Sequence, residues 1–165
     1  MALAYVARFS TSAANFERYL TRKLREKGWE GESEPPIAAT VARYVALGYV
    51  DDESYARMKS GSLLRRGYGA RRVNQTLGQA GIAEDLRAEV APGEAAAREA
   101  ASTYARRRRF GPFGVAHTDP ALRQKQLAAM VRAGHGFDAA RALVDAASVA
   151  EVDQWIEEAR DEEDC

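Results

Sequence analysis

Apolar residues recur along the chain at intervals of three and four, the spacing of one face of an α-helix. The first clear stripe follows the polar cluster Ser10-Thr11-Ser12, a typical helix start, and runs through Phe16, Leu20 and Leu24. Similar stripes continue to the end of the chain and predict nine helices in three triplets. A tenth, amphipathic helix is predicted from Val149, Val152, Trp155, Ile156 and Ala159.

Three glycines with similar neighbours divide this pattern. Gly28, Gly81 and Gly134 lie 53 residues apart, each with a large apolar residue four positions before it and an apolar residue nine after. Glycine at the end of an apolar stripe is typical of a helix C-cap, where a left-handed conformation is needed. The spacing favours three copies of one helical unit over chance. We predict three-helix repeats at residues 1–48, 49–92 and 93–147 and an acidic C-terminal helix or tail at 148–165.

The composition predicts an all-α protein, because the chain has 33 Ala and only 3 Ile. A tandem array of such repeats should be extended and curved, since each repeat contacts mainly its neighbours.

No apolar run approaches the roughly 20 residues of a membrane span, and the N-terminus lacks the features of a signal peptide. We therefore expect a cytoplasmic protein without membrane contact. A lone Cys165 and the absence of Cys-x-x-Cys or His-x-x-x-His pairs argue against disulfide, metal and cofactor chemistry.

The net charge of the chain is zero, but its acidic and basic residues are unevenly distributed along the sequence. Residues 151–165 carry a net charge of −7, so the rest of the chain carries +7, and residues 54–83 contain no acid at all. Such a distribution indicates a basic surface for a polyanion or an acidic protein, with an acidic tail that competes for it, although solvated helix faces also produce charge runs. The basic residues of the acid-free run are Arg57, Lys59, Arg65, Arg66, Arg71 and Arg72, and a second cluster is Arg106, Arg107, Arg108 and Arg109.

The sequence contains no catalytic motif, so we expect that the protein is not an enzyme. His117 and His135 stand outside any catalytic motif, and Asp51-Asp52 fits a helix cap better than an acid pair. The most informative stretch is residues 63–73, in which two arginine pairs flank Gly67-Tyr68-Gly69. Four guanidinium groups at a tight turn suit phosphates or carboxylates, and Tyr68 suits stacking on a base or a partner side chain. Alternatively, Tyr68 packs between helices while the arginines face water.

Three blocks of this chain resemble the central signature of the RecX regulatory proteins. They are Leu47-Gly48-Tyr49-Val50-Asp51-Asp52-Glu53-Ser54-Tyr55-Ala56, Arg66-Gly67-Tyr68-Gly69-Ala70-Arg71-Arg72-Val73 and Leu77-Gly78-Gln79-Ala80-Gly81-Ile82. The resemblance covers about residues 10–147. It implies a tandem array of three-helix repeats that binds the RecA recombinase filament on single-stranded DNA. It further implies inhibition of filament extension, ATP hydrolysis and strand exchange, without a reaction catalysed by the protein itself.

The predicted partners are therefore the RecA filament and single-stranded DNA, with weak binding to duplex DNA, and the protein is expected to be a monomer. A different possibility is a helix-turn-helix DNA-binding or transcription factor, because three-helix units with a basic helix describe that class too. A purely structural helical scaffold is a third. The predicted contact residues are Arg57, Lys59, Arg65, Arg66, Tyr68, Arg71, Arg72, Arg106, Arg107, Arg108 and Arg109.

Overall fold

The computed structural model describes residues 2–116 and 118–164, and Met1, His117 and Cys165 lie outside them. Within those ranges every regular element is helical, which confirms the all-α class. The elements are α1 (Ala2–Val6), α2 (Ala13–Lys27), α3 (Ile37–Ala46), α4 (Asp52–Arg65), α5 (Ala70–Gln79), α6 (Glu84–Glu89), α7 (Glu94–Arg108), a 3-10 turn (Gly111–Phe113), α8 (Pro120–Arg132), α9 (Phe137–Val144) and α10 (Val149–Glu163).

Two local expectations differ from the structure. The Gly- and Pro-rich sequence of residues 110–118 predicts a loop after α7, but this segment contains the 3-10 turn Gly111–Phe113. Proline suits the first turn of a helix, which predicts Pro35 and Pro36 in that turn. Both residues instead precede the helix, because α3 begins at Ile37 and Pro36 has ψ 60. A residue before proline is disfavoured in the helical region, so Pro35 cannot start the helix. The division into three repeats and their curvature stay predictions.

The described chain forms two compact units. The first contains Met1–Met58 and Leu77–Glu89, and the second contains Lys59–Thr76 and Val90–Cys165. The long helix α4 therefore contributes its N-terminal half to the first unit and its C-terminal half to the second. Helix α5 is divided in the opposite order, because its N-terminal part belongs to the second unit.

The first unit is built around Phe16, Leu20 and Val50, against which the aromatic residues of α1, α2 and α3 pack. Polar side chains set its helix starts. The Ser12 hydroxyl accepts the Asn15 amide at 3.2 Å and donates to the carbonyl of Ala80 at 2.6 Å. The first bond caps α2, and the second ties the start of α2 to the end of α5.

The adjacent acids Asp51 and Asp52 cap two different helices. Asp51 accepts the amide and the hydroxyl of Ser54 at 3.1 and 2.7 Å, and these bonds lower its pKa. Asp52 accepts the amide of Ala13 at 2.7 Å, at the start of α2. The pair thus serves helix capping, as the sequence predicts, with Asp51 rather than Asp52 as the cap of α4.

The second unit has the larger described core, formed where α7, α8, α9 and α10 meet. Helix α7 presents small residues, Ala101 and Ala105, and the other helices fill the space beside them with larger ones. Small side chains allow close approach between helices, because interiors pack without voids. The larger buried core residues are Leu127, Met130, Leu143, Val144, Val152 and Ile156.

The acidic C-terminal segment is helical and packs on the N-terminal half of α7. The Glu163 carboxylate accepts the Ala95 amide at 3.0 Å, and Arg160 pairs with Glu99 at 2.5 Å. The Arg98 guanidinium lies 4.8 Å from the Trp155 ring centroid and donates to the Trp155 carbonyl. These contacts involve the N-terminal half of α7, whereas the basic cluster 106–109 lies at its C-terminal end.

Candidate functional site

The two arginine clusters singled out by the sequence come together in the second unit. Arg66 directly follows α4, Arg107 lies in the last turn of α7, and the Arg107 Nη1 donates to the carbonyl of Arg66 at 3.0 Å. A groove of about 400 Å³ opens at this contact, and we refer to it as the arginine groove. Two alanines line it together with Arg66, Tyr68, Arg72, Tyr104, Arg107, Arg108 and Arg132.

The arginine groove has a strongly one-sided charge. All five of its arginines are exposed, both tyrosines are half-buried, and no acidic residue is among those that line it. The Arg66 guanidinium lies 5.2 Å from the Tyr68 ring centroid, and that of Arg108 lies 5.7 Å from the Tyr104 ring. Cation-π contacts hold guanidinium groups without neutralising them. A concave surface lined by one sign of charge concentrates its potential, which suits phosphates or carboxylates.

Glycines allow the turn between α4 and α5 to enter this site. Gly67 has φ +85, and a Cβ there would lie 2.8 Å from the backbone nitrogen of Tyr104. A Cβ on Gly69 would lie 2.4 Å from the carbonyl of Gly134. Backbone approaches this close exclude any side chain. The two glycines that flank Tyr68 are therefore required by packing.

The start of α5 is hydrogen-bonded to the end of α8. The Gly69 amide donates to the Ala133 carbonyl at 2.9 Å, and the Arg71 amide donates to the Gly134 carbonyl at 3.1 Å. Amides at a helix start and carbonyls at a helix end lack partners within their own helices, so each end satisfies the other. This junction explains why Arg72 of α5 and Arg132 of α8 line one groove.

His135 supports the same junction from inside. Its side chain is only 3% exposed, and its Nε2 lies 2.9 Å from the Gly67 carbonyl. Since a carbonyl only accepts, the ring carries its proton on Nε2. Burial lowers the pKa of His135, which keeps the ring neutral. Its role is structural, as the lack of a surrounding motif indicated.

Other predicted contact residues lie outside the lining of the arginine groove. Arg57 belongs to the first unit and pairs with Glu53 at 2.7 Å, which raises the pKa of the guanidinium. The Arg106 guanidinium lies 4.5 Å from the Phe113 ring centroid. Arg109 has φ 57 and caps the end of α7. The three remaining predicted residues outside the lining are Lys59, Arg65 and Arg71.

Sequence reasoning missed two lining residues, Tyr104 and Arg132. Arg132 lies two positions before Gly134, in the last turn of α8, a frequent place for a basic residue. The position of Arg132 near that glycine therefore places it at a helix end in the sequence alone. Tyr104 stands alone among the alanines of α7, and nothing in the local pattern distinguishes it from a core residue.

Comparison with known proteins places the chain in a family. The family model described as "RecX, second three-helix domain" matches residues 51–90, which contain α4, α5 and α6. The chain is 34% identical over 156 residues to the "Regulatory protein RecX" of Myxococcus xanthus (strain DK1622), covering 87% of this chain and 82% of that relative. The chain belongs to the RecX family. This membership confirms the resemblance drawn from the three sequence blocks.

A second relative in the RecX family comes from Thermus thermophilus, where the "Regulatory protein RecX" is 36% identical over 107 residues. That match covers 65% of this chain and 71% of the relative. The names of these relatives assign them a regulatory role. Within residues 2–116 and 118–164, no helix has the length and apolar character needed to cross a membrane.

Proposed function

We propose that the protein regulates the RecA recombinase, binding its filament on single-stranded DNA and restraining extension, ATP hydrolysis and strand exchange. It catalyses no reaction in this role and acts as a monomer. Membership in a family of regulatory proteins supports the class of function. The observation that carries the mechanism is the arginine groove, where arginines from three separate stretches of the chain face one concave surface.

The groove acts by offering several guanidinium groups to one polyanionic surface. Arg66, Arg108 and Arg132 reach it from the end of α4, the end of α7 and the end of α8. Each planar guanidinium makes paired hydrogen bonds to a phosphate or a carboxylate, so the groove fits the DNA backbone or an acidic RecA surface. A regulator held across several subunits or phosphates hinders their rearrangement. Restrained filament growth and turnover follow from that contact.

Single-stranded-DNA-dependent ATP hydrolysis by RecA from the same organism tests the function. Inhibition is expected well below one protein per RecA. The variant Arg66→Glu/Arg108→Glu/Arg132→Glu should abolish inhibition while keeping its helical circular dichroism. A matched control, Arg25→Glu/Arg43→Glu/Arg141→Glu, changes the net charge equally at exposed arginines outside the groove. It should inhibit as the unaltered protein does.

Two outcomes would contradict the proposal. Equal inhibition by both triple variants would remove the arginine groove from the mechanism. Absence of any effect on RecA, together with selection of a particular duplex sequence, would favour the helix-turn-helix factor instead. If the groove contacts phosphates, affinity should also fall steeply with salt, because each neutralised phosphate releases counterions.

A further inference from the structure

A second groove, which lies entirely within the first unit, combines aromatic rings with arginines. It opens between α1 and α2, has a volume of about 530 Å³, and we refer to it as the aromatic groove. That volume is within the range of ligand-binding pockets. Four rings and two guanidinium groups supply its chemistry, from Tyr5, Phe9, Tyr19, Tyr55, Arg18 and Arg22.

Three of the aromatic rings in this region are stacked, and a fourth, Phe9, lies beside them and is exposed. Tyr5 stacks on Tyr19 with centroids 3.8 Å apart and planes 11° apart, and it also lies parallel to the buried ring of Phe16. Phe9 lies 5.4 Å from Tyr5 and is 54% exposed. Phe9 rests against the stacked pair and keeps much of its ring exposed, so another flat ring can pack on it without displacing Tyr5 or Tyr19. Phe9 is therefore the ring that can accept a ligand.

The charges beside these rings are positive. Arg18 and Arg22 lie one turn apart on α2, a rise of about 6 Å, and no acidic residue is among those that line the groove. Arg18 Nη2 donates to the Gln79 carbonyl at 2.7 Å, which holds that side chain in place. Arg22 is 3.7 Å from Glu26 in a solvent-exposed pair, and such pairs are weak and easily exchanged. Both guanidinium groups keep donors for an anionic ligand.

We propose that the aromatic groove binds single-stranded DNA, with an unpaired base stacked on Phe9 and the flanking phosphates held by Arg18 and Arg22. Stacking on aromatic side chains inside a basic groove is how proteins hold unpaired strands, since every base offers a flat face. A duplex keeps its bases stacked internally and cannot use Phe9. The site belongs to the first unit and does not rest on the proposed RecA function, because it is tested with DNA alone.

Binding of the full chain to a labelled thymidine oligonucleotide, without RecA, tests the stacking. Phe9→Ala should weaken binding roughly 5-fold to 150-fold, and an abasic oligonucleotide should show a similar loss. Phe9→Trp should keep binding. Leu3→Ala is the matched control, because Leu3 is an exposed apolar residue of α1 outside the groove. It should bind as the unaltered protein does.

The arginine contacts have a separate readout in the salt dependence. Arg22→Gln should lower the steepness of log K against log salt by about 0.7, the value for one phosphate of a single strand. Phe9→Ala should leave that steepness unchanged. Arg25→Gln removes the same charge from the same helix outside the aromatic groove and should have the smaller effect.

Photo-crosslinking with 5-iododeoxyuridine, mapped by mass spectrometry, locates the base. Adducts on Phe9 or Tyr5 that persist in the triple variant of the arginine groove would support the proposal. Adducts confined to Tyr68 or Tyr104, equal binding of the abasic strand, or Phe9→Ala binding as tightly as Leu3→Ala would overturn it. A loss of RecA inhibition alone would bear only on the proposed function.

Discussion

Replacing Gly134 with alanine should destabilise the second unit by more than its backbone conformation explains. Gly134 has φ +99, and an added Cβ would lie 2.5 Å from the backbone nitrogen of Arg72 and 2.6 Å from its Cβ. The atoms in the way are the backbone nitrogen and the Cβ of Arg72, and no side-chain rotation can move either of them. The end of α8 and the start of α5 must then separate, which weakens the Gly69–Ala133 and Arg71–Gly134 hydrogen bonds.

Substitutions at two other glycines separate the conformational penalty from the steric penalty. Gly48 has φ +75 and nothing within 4 Å of an added Cβ, so Gly48→Ala reports the left-handed conformation alone, about 1–2 kcal/mol. Gly69 has no such φ, but its Cβ would lie 2.4 Å from the carbonyl of Gly134. Gly69→Ala therefore reports the steric clash, about 1–3 kcal/mol. Gly134→Ala has both penalties, so a loss of about 2–5 kcal/mol is expected.

The free energy of unfolding can be followed in each unit by its own tryptophan. Trp155 reports the second unit in a Trp29→Phe background, for Gly69→Ala and Gly134→Ala. Trp29 reports the first unit in a Trp155→Phe background, for Gly48→Ala. Urea titrations give the three losses. A loss for Gly134→Ala no greater than that for Gly48→Ala would refute the claim that the junction is too tight for a side chain.

The remaining predictions concern buried side chains of the second unit. The folded pKa of His135 lies below its ordinary value of 6.5, so its share of stability is present above about pH 6.5 and is lost as pH falls through the lowered pKa. Urea midpoints between pH 8 and 5 should therefore fall less in His135→Gln, which keeps a neutral donor for Gly67, than in the unaltered protein. Met130 is fully buried, so Met130→Ala should lower the free energy of unfolding by about 2–5 kcal/mol, whereas the exposed Leu122→Ala should lower it by less than about 1 kcal/mol in the same titration.

Helix positions were predictable because their signals are local. Gly28, Gly81 and Gly134 all adopt positive φ at helix ends, as their shared spacing indicated. Ser12 and Asp119 accept amides at the starts of α2 and α8. Each of these features depends on a few neighbouring residues, so one sequence is enough to find it. The exception at Pro35 also has a local cause, the restriction that Pro36 places on the residue before it.

The arginine groove was predictable only in part, because its shape depends on how distant helices pack. The sequence identified Arg66, Tyr68 and Arg72 and, separately, the cluster 106–109, but not that the end of α8 joins them. Arg57 is predicted as a contact residue because it lies in the acid-free run, yet Glu53 lies four residues before it, just outside that run. Glutamate and arginine four residues apart on a helix favour an ion pair, so the sequence carries the signal for this contact.

The aromatic groove was missed for a related reason. Its arginines lie in a short acid-free stretch between Glu17 and Glu26, much shorter than the run at 54–83. Its rings come from segments separated by up to 50 residues. Tyr5, Phe9 and Tyr19 follow helical spacing and were indistinguishable from core residues. Only the exposure of Phe9 and the stacking of its neighbours separate this surface from the core beneath it.

The helix dipole distinguishes arginines that stabilise the fold from those that do not. Arg107 and Arg108 lie in the last turn of α7, and Arg132 lies in the last turn of α8, where positive charge interacts favourably with the carbonyl end of a helix. Arg72 lies at the opposite end, in the first turn of α5, which has no acidic residue. A positive charge there opposes the dipole by about 0.3–1 kcal/mol.

The dipoles of their own helices therefore favour the arginines of α7 and α8, whereas the dipole of α5 disfavours Arg72. The carbonyl end of α8, which is hydrogen-bonded to the start of α5, partly offsets that cost. The Arg72 guanidinium makes a long 3.5 Å approach to the Gln75 side chain, and this contact is too weak to offset the dipole. Residues that lower local stability are expected where a site needs their charge. Arg72 is thus the member of the arginine groove whose charge the dipole of its own helix does not explain.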